Sequence, residues 1–165
     1  MSQEQPKVLN ITREHVAVDG TYTGPDVSQW EGSIEIGADL GWVRFAGWIR
    51  ATGFIRSQAG SGIEAGSGIE AGSGIEAGEG IKAGWGIEAG EGIKAGWGIE
   101  AGWGIEAGFA VVAKWVSCKL RIFAGLCLWR LPKDGEDEVR AEVRKGLVAL
   151  GKVVAPLSAT TESGA

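Results

Sequence analysis

Glu64, Glu70, Glu76, Glu88, Glu100 and Glu106 share one six-residue frame in the middle of this 165-residue chain. Glu79 and Glu91 share a second frame, and Trp85, Trp97 and Trp103 stand in that same second frame. Carboxylates repeated on a rigid support suit a basic protein surface, and exposed indoles supply contact area for a partner. Catalysis finds little material. The only histidine, His15, lies far from this region, so no nucleophile–base pair with the central carboxylates is evident. Cys118 and Cys127 are nine residues apart and form no CxxC pair, and a structural zinc site needs four N or S ligands. Two buried free thiols, with a disulfide as the alternative, no metal, no cofactor and a non-enzymatic protein are the expectation. Readings of GxGxxG in the glycine-rich run have no strand-to-helix context and are accidental.

The elements that must position these side chains follow from the repeat. From Ile63 the chain reads IEAGSG, IEAGSG, IEAGEG, IKAGWG, IEAGEG, IKAGWG, IEAGWG and IEAGFA without a gap. A helix would rotate residues six apart by about 600°, scattering the Ile positions, and would carry two Gly per hexad at about 1 kcal/mol each. A strand sends Ile and the following Ala to one side and the intervening Glu or Lys to the other. The hexad thus divides into a three-residue strand and a Gly-x-Gly corner, whose glycines are expected to supply positive φ. So short a strand folds only when coils stack, pairing the backbone and burying the Ile and Ala columns together. The chain is read as all-β, a parallel β-solenoid with capped ends. Its 29 glycines therefore mark corners, and eight Trp and four Pro exclude a disordered linker or collagen.

Two hexads per coil give 12 residues and three give 18. The 12-mer IEAGEGIKAGWG at 75–86 recurs unchanged at 87–98, which favours 12. That coil stacks Trp85, Trp97 and Phe109, but it also aligns Glu64, Glu76, Glu88 and Glu100, an unfavourable like-charge ladder. A coil of 18 sets Lys82 between Glu64 and Glu100 and Lys94 beside Glu76; it is electrostatically better and stays open. The period of six resembles the left-handed hexapeptide β-helix family, which uses 18. That family carries a small inward residue two places before each aliphatic, where this chain has Ser67, Ser73, Glu79, Trp85, Glu91, Trp97 and Trp103. Its acyltransferases use a histidine near the coils, which has no counterpart here beyond the distant His15.

The period extends upstream through Val43, Ile49 and Ile55, with a two-residue insertion near Ser61 and Gly62. Residues 1–42 are expected to form an N-terminal cap, 43–130 the solenoid, 131–157 a C-terminal cap in the form of a hairpin or further coil, with a short helix as the alternative, and 158–165 a flexible tail. Arg44, Arg50 and Arg56 follow Trp42, Trp48 and Phe54 at the same spacing and can stack on those rings or pair with Glu. Charge is uneven: residues 63–109 hold eight Glu against two Lys, while 110–165 hold six acids against nine bases. The acidic middle repels nucleic acid. No secretory signal opens the chain, and Lys114, Lys119 and Arg121 break its most apolar stretch, so a cytoplasmic protein outside the membrane is expected.

Together these features imply a protein-binding surface made of the eight Glu and three Trp named above, with a homodimer as one outcome. The chain resembles small glycine-rich hexad proteins of bacteria and their mobile elements. That resemblance implies an inhibitor of host defence, of the anti-CRISPR kind, that imitates nucleic acid toward a basic nucleic-acid-binding protein. A structural, self-assembling solenoid and an acyltransferase-like enzyme are the alternatives.

Overall fold

The computed structural model describes residues 7–156; the tail expected at 158–165 lies outside the described residues. Sixteen strands wind into a parallel β-solenoid of about five turns. Its cross-section is a triangle. Face A takes β1 (Val8–Ile11), β2 (Ser33–Ile36), β5 (Ile55–Ser57), β8 (Ile75–Ala77) and β11 (Ile93–Ala95). Face B takes β3 (Gly41–Phe45), β6 (Ser61–Ala65), β9 (Ile81–Ala83) and β12 (Gly98–Ala101). Face C takes β4 (Ile49–Ala51), β7 (Ile69–Ala71), β10 (Ile87–Ala89) and β13 (Ile105–Ala107). The long strand β14 (Val111–Phe123) wraps across all three faces, and β15 (Glu138–Leu150) follows it in parallel. The short β16 (Lys152–Val154) pairs with the start of β15. The segment after Pro132 is thus a further coil and neither a hairpin nor a helix.

Register settles the coil length. Ile63 aligns with Ile81, and Ile81 with Ile99, a step of 18 residues. The 12-residue coil is therefore wrong, and with it the stack of Trp85, Trp97 and Phe109. Three hexads close a triangle in which every Ile points at a common axis: Ile63 through Ile105 are all at most 1% exposed. Each buried Ile contributes roughly 1.5–3 kcal/mol. Upstream the step is 20, Ile49 aligning with Ile69, because of the insertion at the corner between faces A and B. There buried Ser61 donates its hydroxyl to the Gly37 carbonyl at 2.6 Å and accepts the Leu40 N–H at 3.0 Å, while Ser57 donates to the Ser61 carbonyl. Downstream the step shortens to 17, Ile105 aligning with Ile122.

The hexad glycines serve a purpose other than the one the sequence suggested. None of those at 66–108 has a positive φ; left-handed glycines lie outside the repeat, as at Gly60 and Gly146. A Cβ built at Gly84 would instead collide with the carbonyl oxygen of Gly66 one coil below, and one at Gly90 with that of Gly72. The first glycine of each hexad lets the backbones of successive corners approach within hydrogen-bonding range, as in Gly84 N–H to Ala65 O at 3.0 Å. The second meets backbone less closely: a Cβ at Gly86 would lie 3.5 Å from the Gly104 oxygen, an ordinary contact, although at Gly68, Gly80 and Gly98 an indole occupies the space.

Outward side chains now form defined columns. Face B reads Arg44, Glu64, Lys82, Glu100, with signs alternating. Face A reads Glu35, Arg56, Glu76, Lys94, also alternating. Face C reads Arg50, Glu70, Glu88, Glu106, with three acids in succession. Lys82→Glu places a third carboxylate between Glu64 and Glu100. It should lower stability by about 1 kcal/mol in urea titration at low salt, and by less at 1 M salt. In a coil of 12, Lys82 would lie between Glu70 and Lys94 and the change would be close to neutral, so unchanged stability would contradict the 18-residue register.

Candidate protein-binding face

The carboxylates and indoles expected to act as one surface are distributed over the triangle. Glu64 and Glu100 lie on face B, separated by Lys82. Glu76 lies on face A beside Arg56, 3.7 Å away, and Lys94. Glu79 and Trp97 are successive residues of the corner between faces A and B, where the Lys114 ammonium lies 4.3 Å from the Trp97 ring. Glu91 and Phe109 share the corner between faces C and A. Phe109 meets Trp129 edge-on at 6.0 Å and carries Arg130 over its ring at 4.3 Å. Arg130 in turn pairs with Glu136 through two hydrogen bonds, 2.7 and 2.9 Å. Those bonds, with one from the Lys133 N–H, hold the Glu136 carboxyl down at about 2. This clamps the loop between β14 and β15.

Face C and its corner with face B bring the remaining residues together. Along that corner Trp85 and Trp103 stack one coil apart, centroids 5.8 Å and planes 14° apart, each about half exposed. Leu120 continues the same corner, its N–H bonded to the Trp103 carbonyl at 2.9 Å. Leu147, 62% exposed, lies beside Arg121 on the next coil. Trp85, Trp103 and Leu120 form an apolar ridge parallel to the solenoid axis, while Leu147 lies one column over, in line with Gly86, Gly104 and Arg121 on face C. In the sequence Leu120 alternates with Lys119 and Arg121 beside Ile122, and Leu147 follows Val139, Ala141 and Val143, so both read as apolar residues of half-buried strands; they are instead 52% and 62% exposed, because the 17-residue step shifts them out of the hexad frame.

Beside the ridge, on face C, Glu70, Glu88 and Glu106 stack at the inter-strand spacing of about 4.8 Å. Arg50 compensates the first: its Nε is 3.0 Å from Glu70 and its guanidinium carbon 3.9 Å from the Trp48 ring centre. Among the described residues no ion pair reaches Glu88 or Glu106 within 4.0 Å. Burial, and then the charges of Glu106 and Glu70, push the Glu88 carboxyl above its usual range. A groove of about 720 Å³ follows this column, with Gly86 and Gly104 in its floor, Trp48 at one end and Lys119, Leu120 and Arg121 at the other.

No described cluster of three or more His, Cys, Asp or Glu residues is placed to hold a metal ion. His15 accepts the Thr12 N–H at 3.1 Å beside the short 3-10 turn Arg13–His15, away from this face. Cys118 and Cys127 are both free thiols, Cys118 buried as expected but Cys127 only half-buried at the loop after β14, and burial pushes the Cys118 thiol up, away from the reactive thiolate. Among the described residues no helix is long and apolar enough to cross a membrane. No protein-family model, no curated protein and no solved structure matches this chain.

Proposed function

We propose that this β-solenoid is a non-enzymatic protein-binding scaffold that offers face C and its adjoining tryptophan corner to a basic partner. One observation carries the reading: the three-carboxylate column, ion-paired among the described residues only at Arg50, runs beside an exposed indole ridge, whereas the columns on faces A and B alternate in sign along their length. Exposed indoles are favoured where a partner covers them, and an acidic column steers a positively charged surface toward them. A partner that ordinarily binds nucleic acid fits this chemistry, because its basic surface is built for regularly spaced anions on a rigid rod. That is the action of a host-defence inhibitor of the anti-CRISPR kind, in a cytoplasmic setting, and the acidic face argues against direct nucleic-acid binding.

Affinity capture from bacterial extract, read by native mass measurement, tests this. Wild type should retain a basic nucleic-acid-binding protein. The triple change Glu70→Gln, Glu88→Gln, Glu106→Gln should reduce capture at least tenfold. The triple change Glu64→Gln, Glu76→Gln, Glu100→Gln removes the same charge from faces A and B and should leave capture within about twofold. Equal effects of the two triples would reject face C as the surface.

A second reading has its own observation. The last coil ends with Leu147, Leu150 and Val153 exposed, and among the described residues its outer backbone edge is covered only where β16 pairs with β15. Open strand edges associate. Concentration-dependent dimers or filaments, in place of capture of a basic protein, would favour self-assembly.

A further inference from the structure

Within the hexads the residue before each inward Ile is a glycine on all three faces, and the columns these glycines form are shallow troughs parallel to the solenoid axis. On face B the trough is filled from within. The indole of Trp42 lies across Gly62 and Gly80, so close that a Cβ at either would meet the ring at 2.9 or 2.8 Å, and the Trp115 indole covers Gly98. On face C Trp48 covers Gly68, but among the described residues the trough then stays open: around Gly86 and Gly104 the atoms a Cβ would meet are backbone oxygens, at 3.5 and 3.0 Å. The trough therefore accepts flat side chains, and face C has vacant length for one more.

Arg50 shows which flat group suits face C. Its guanidinium stacks on Trp48 at 3.9 Å and bonds Glu70 at 3.0 Å. One and two coils further, Glu88 and Glu106 stand beside the vacant length of trough without such a partner, while Leu120, Phe123 and Leu147 bound its far end. Lys119 and Arg121 at that end repel a second cation, which sets the favoured position beside Glu88. Face A also has an open trough, at Gly74 and Gly92, but its column already contains Arg56 and Lys94.

We propose that the face C groove is a docking slot for arginine side chains of a protein partner, the guanidinium lying over Gly86 and Gly104 and bonding to Glu88 and Glu106. This rests on the protein-binding reading and names the recognition element. Arginine is favoured over lysine because its planar fork fits a shallow slot and binds carboxylates through two parallel hydrogen bonds, whereas an ammonium gains only point-charge attraction.

The test uses two blocked pentapeptides, acetyl-Gly-Arg-Gly-Arg-Gly-amide and its Lys counterpart, titrated against the full chain at low salt and followed by amide NMR shifts. The arginine peptide should bind at least fivefold more tightly than the lysine peptide and shift Gly86, Glu88 and Gly104. Glu88→Gln with Glu106→Gln should weaken it at least fivefold. Gly86→Ala raises the slot floor where there is room for a methyl group and should weaken it similarly, with an unchanged circular dichroism spectrum and melting temperature. Equal affinity for the two peptides, or indifference to Gly86→Ala, would overturn the slot and leave only diffuse charge attraction. The outcomes separate from those of the capture experiment. Arginine selectivity in the groove without capture of a basic protein sinks the proposed function and keeps the slot. Capture abolished by Trp85→Ala with Trp103→Ala, but without arginine selectivity, does the reverse.

Discussion

Gly84→Ala should destabilise the solenoid by roughly 3 kcal/mol or more, while Gly86→Ala, two residues away in the same hexad, should cost less than about 1 kcal/mol. The two glycines look equivalent in the repeat. They differ in what faces them. The methyl group at Gly84 would overlap the Gly66 carbonyl oxygen of the coil below, and that oxygen belongs to backbone that cannot swing aside. Relief requires the corners to separate, which lengthens the hydrogen bonds Gly84 N–H to Ala65 O and Trp85 N–H to Ser67 O, now 3.0 and 2.9 Å. At Gly86 the nearest atom is 3.5 Å away, and the loss of unfolded-state freedom offsets part of any strain. Urea denaturation measures both. Similar small costs would mean that the corners can spread apart; similar large costs would mean that the second glycine has a backbone role its geometry does not show.

Ile87→Ala should cost about 3–4 kcal/mol, whereas Val153→Ala should cost less than about 0.5 kcal/mol. Ile87 is 1% exposed and stacks between Ile69 and Ile105 at the centre of face C, so truncation leaves a hole shared by three coils. In a solenoid each coil contacts only its neighbours, and a defect in the middle weakens two interfaces at once. Val153 is 56% exposed on the final strand and has little core to lose. Chemical denaturation followed by tryptophan fluorescence reports both, with Trp85 two residues before Ile87 in the same coil and Trp103 stacked on Trp85 from the next. Comparable losses at the two positions would mean that the last coil is as tightly integrated as the centre.

Both predictions bear on the binding proposal. Face C is useful to a partner only if its three carboxylates stay in column, and the column exists because the backbone ladder beneath it is rigid. The same ladder forces Glu88 between two like charges, against the stability of the isolated protein. A cation delivered by a partner would relieve that repulsion, so the strain and the binding site are one feature.

The Ile–x–Ala alternation, the outward Glu and Trp and the stacking of hexads were all legible in the repeat. Period-two alternation is a local property of an extended chain, and a three-residue strand has nowhere to bury its Ile except against another coil. The insertion at Ser61 was legible for the same reason, as a break in a strict frame. The circumference of the coil was not. Hexads are interchangeable units, so the duplicated 12-mer preserves the frame in a coil of any multiple of six and carries no information about how many hexads close a turn. That number is set by how the Ile columns of three faces meet at one axis, which places residues 18 apart on top of each other in adjacent coils. Everything that distinguishes the faces depends on it: that Lys82 and Lys94 fall on faces B and A, that Glu70, Glu88 and Glu106 are left together, and that Trp85 stacks on Trp103 and not on Trp97. The purpose of the glycines belongs to the same level, because the collision that excludes a methyl group at Gly84 comes from the coil below and not from its own backbone angles.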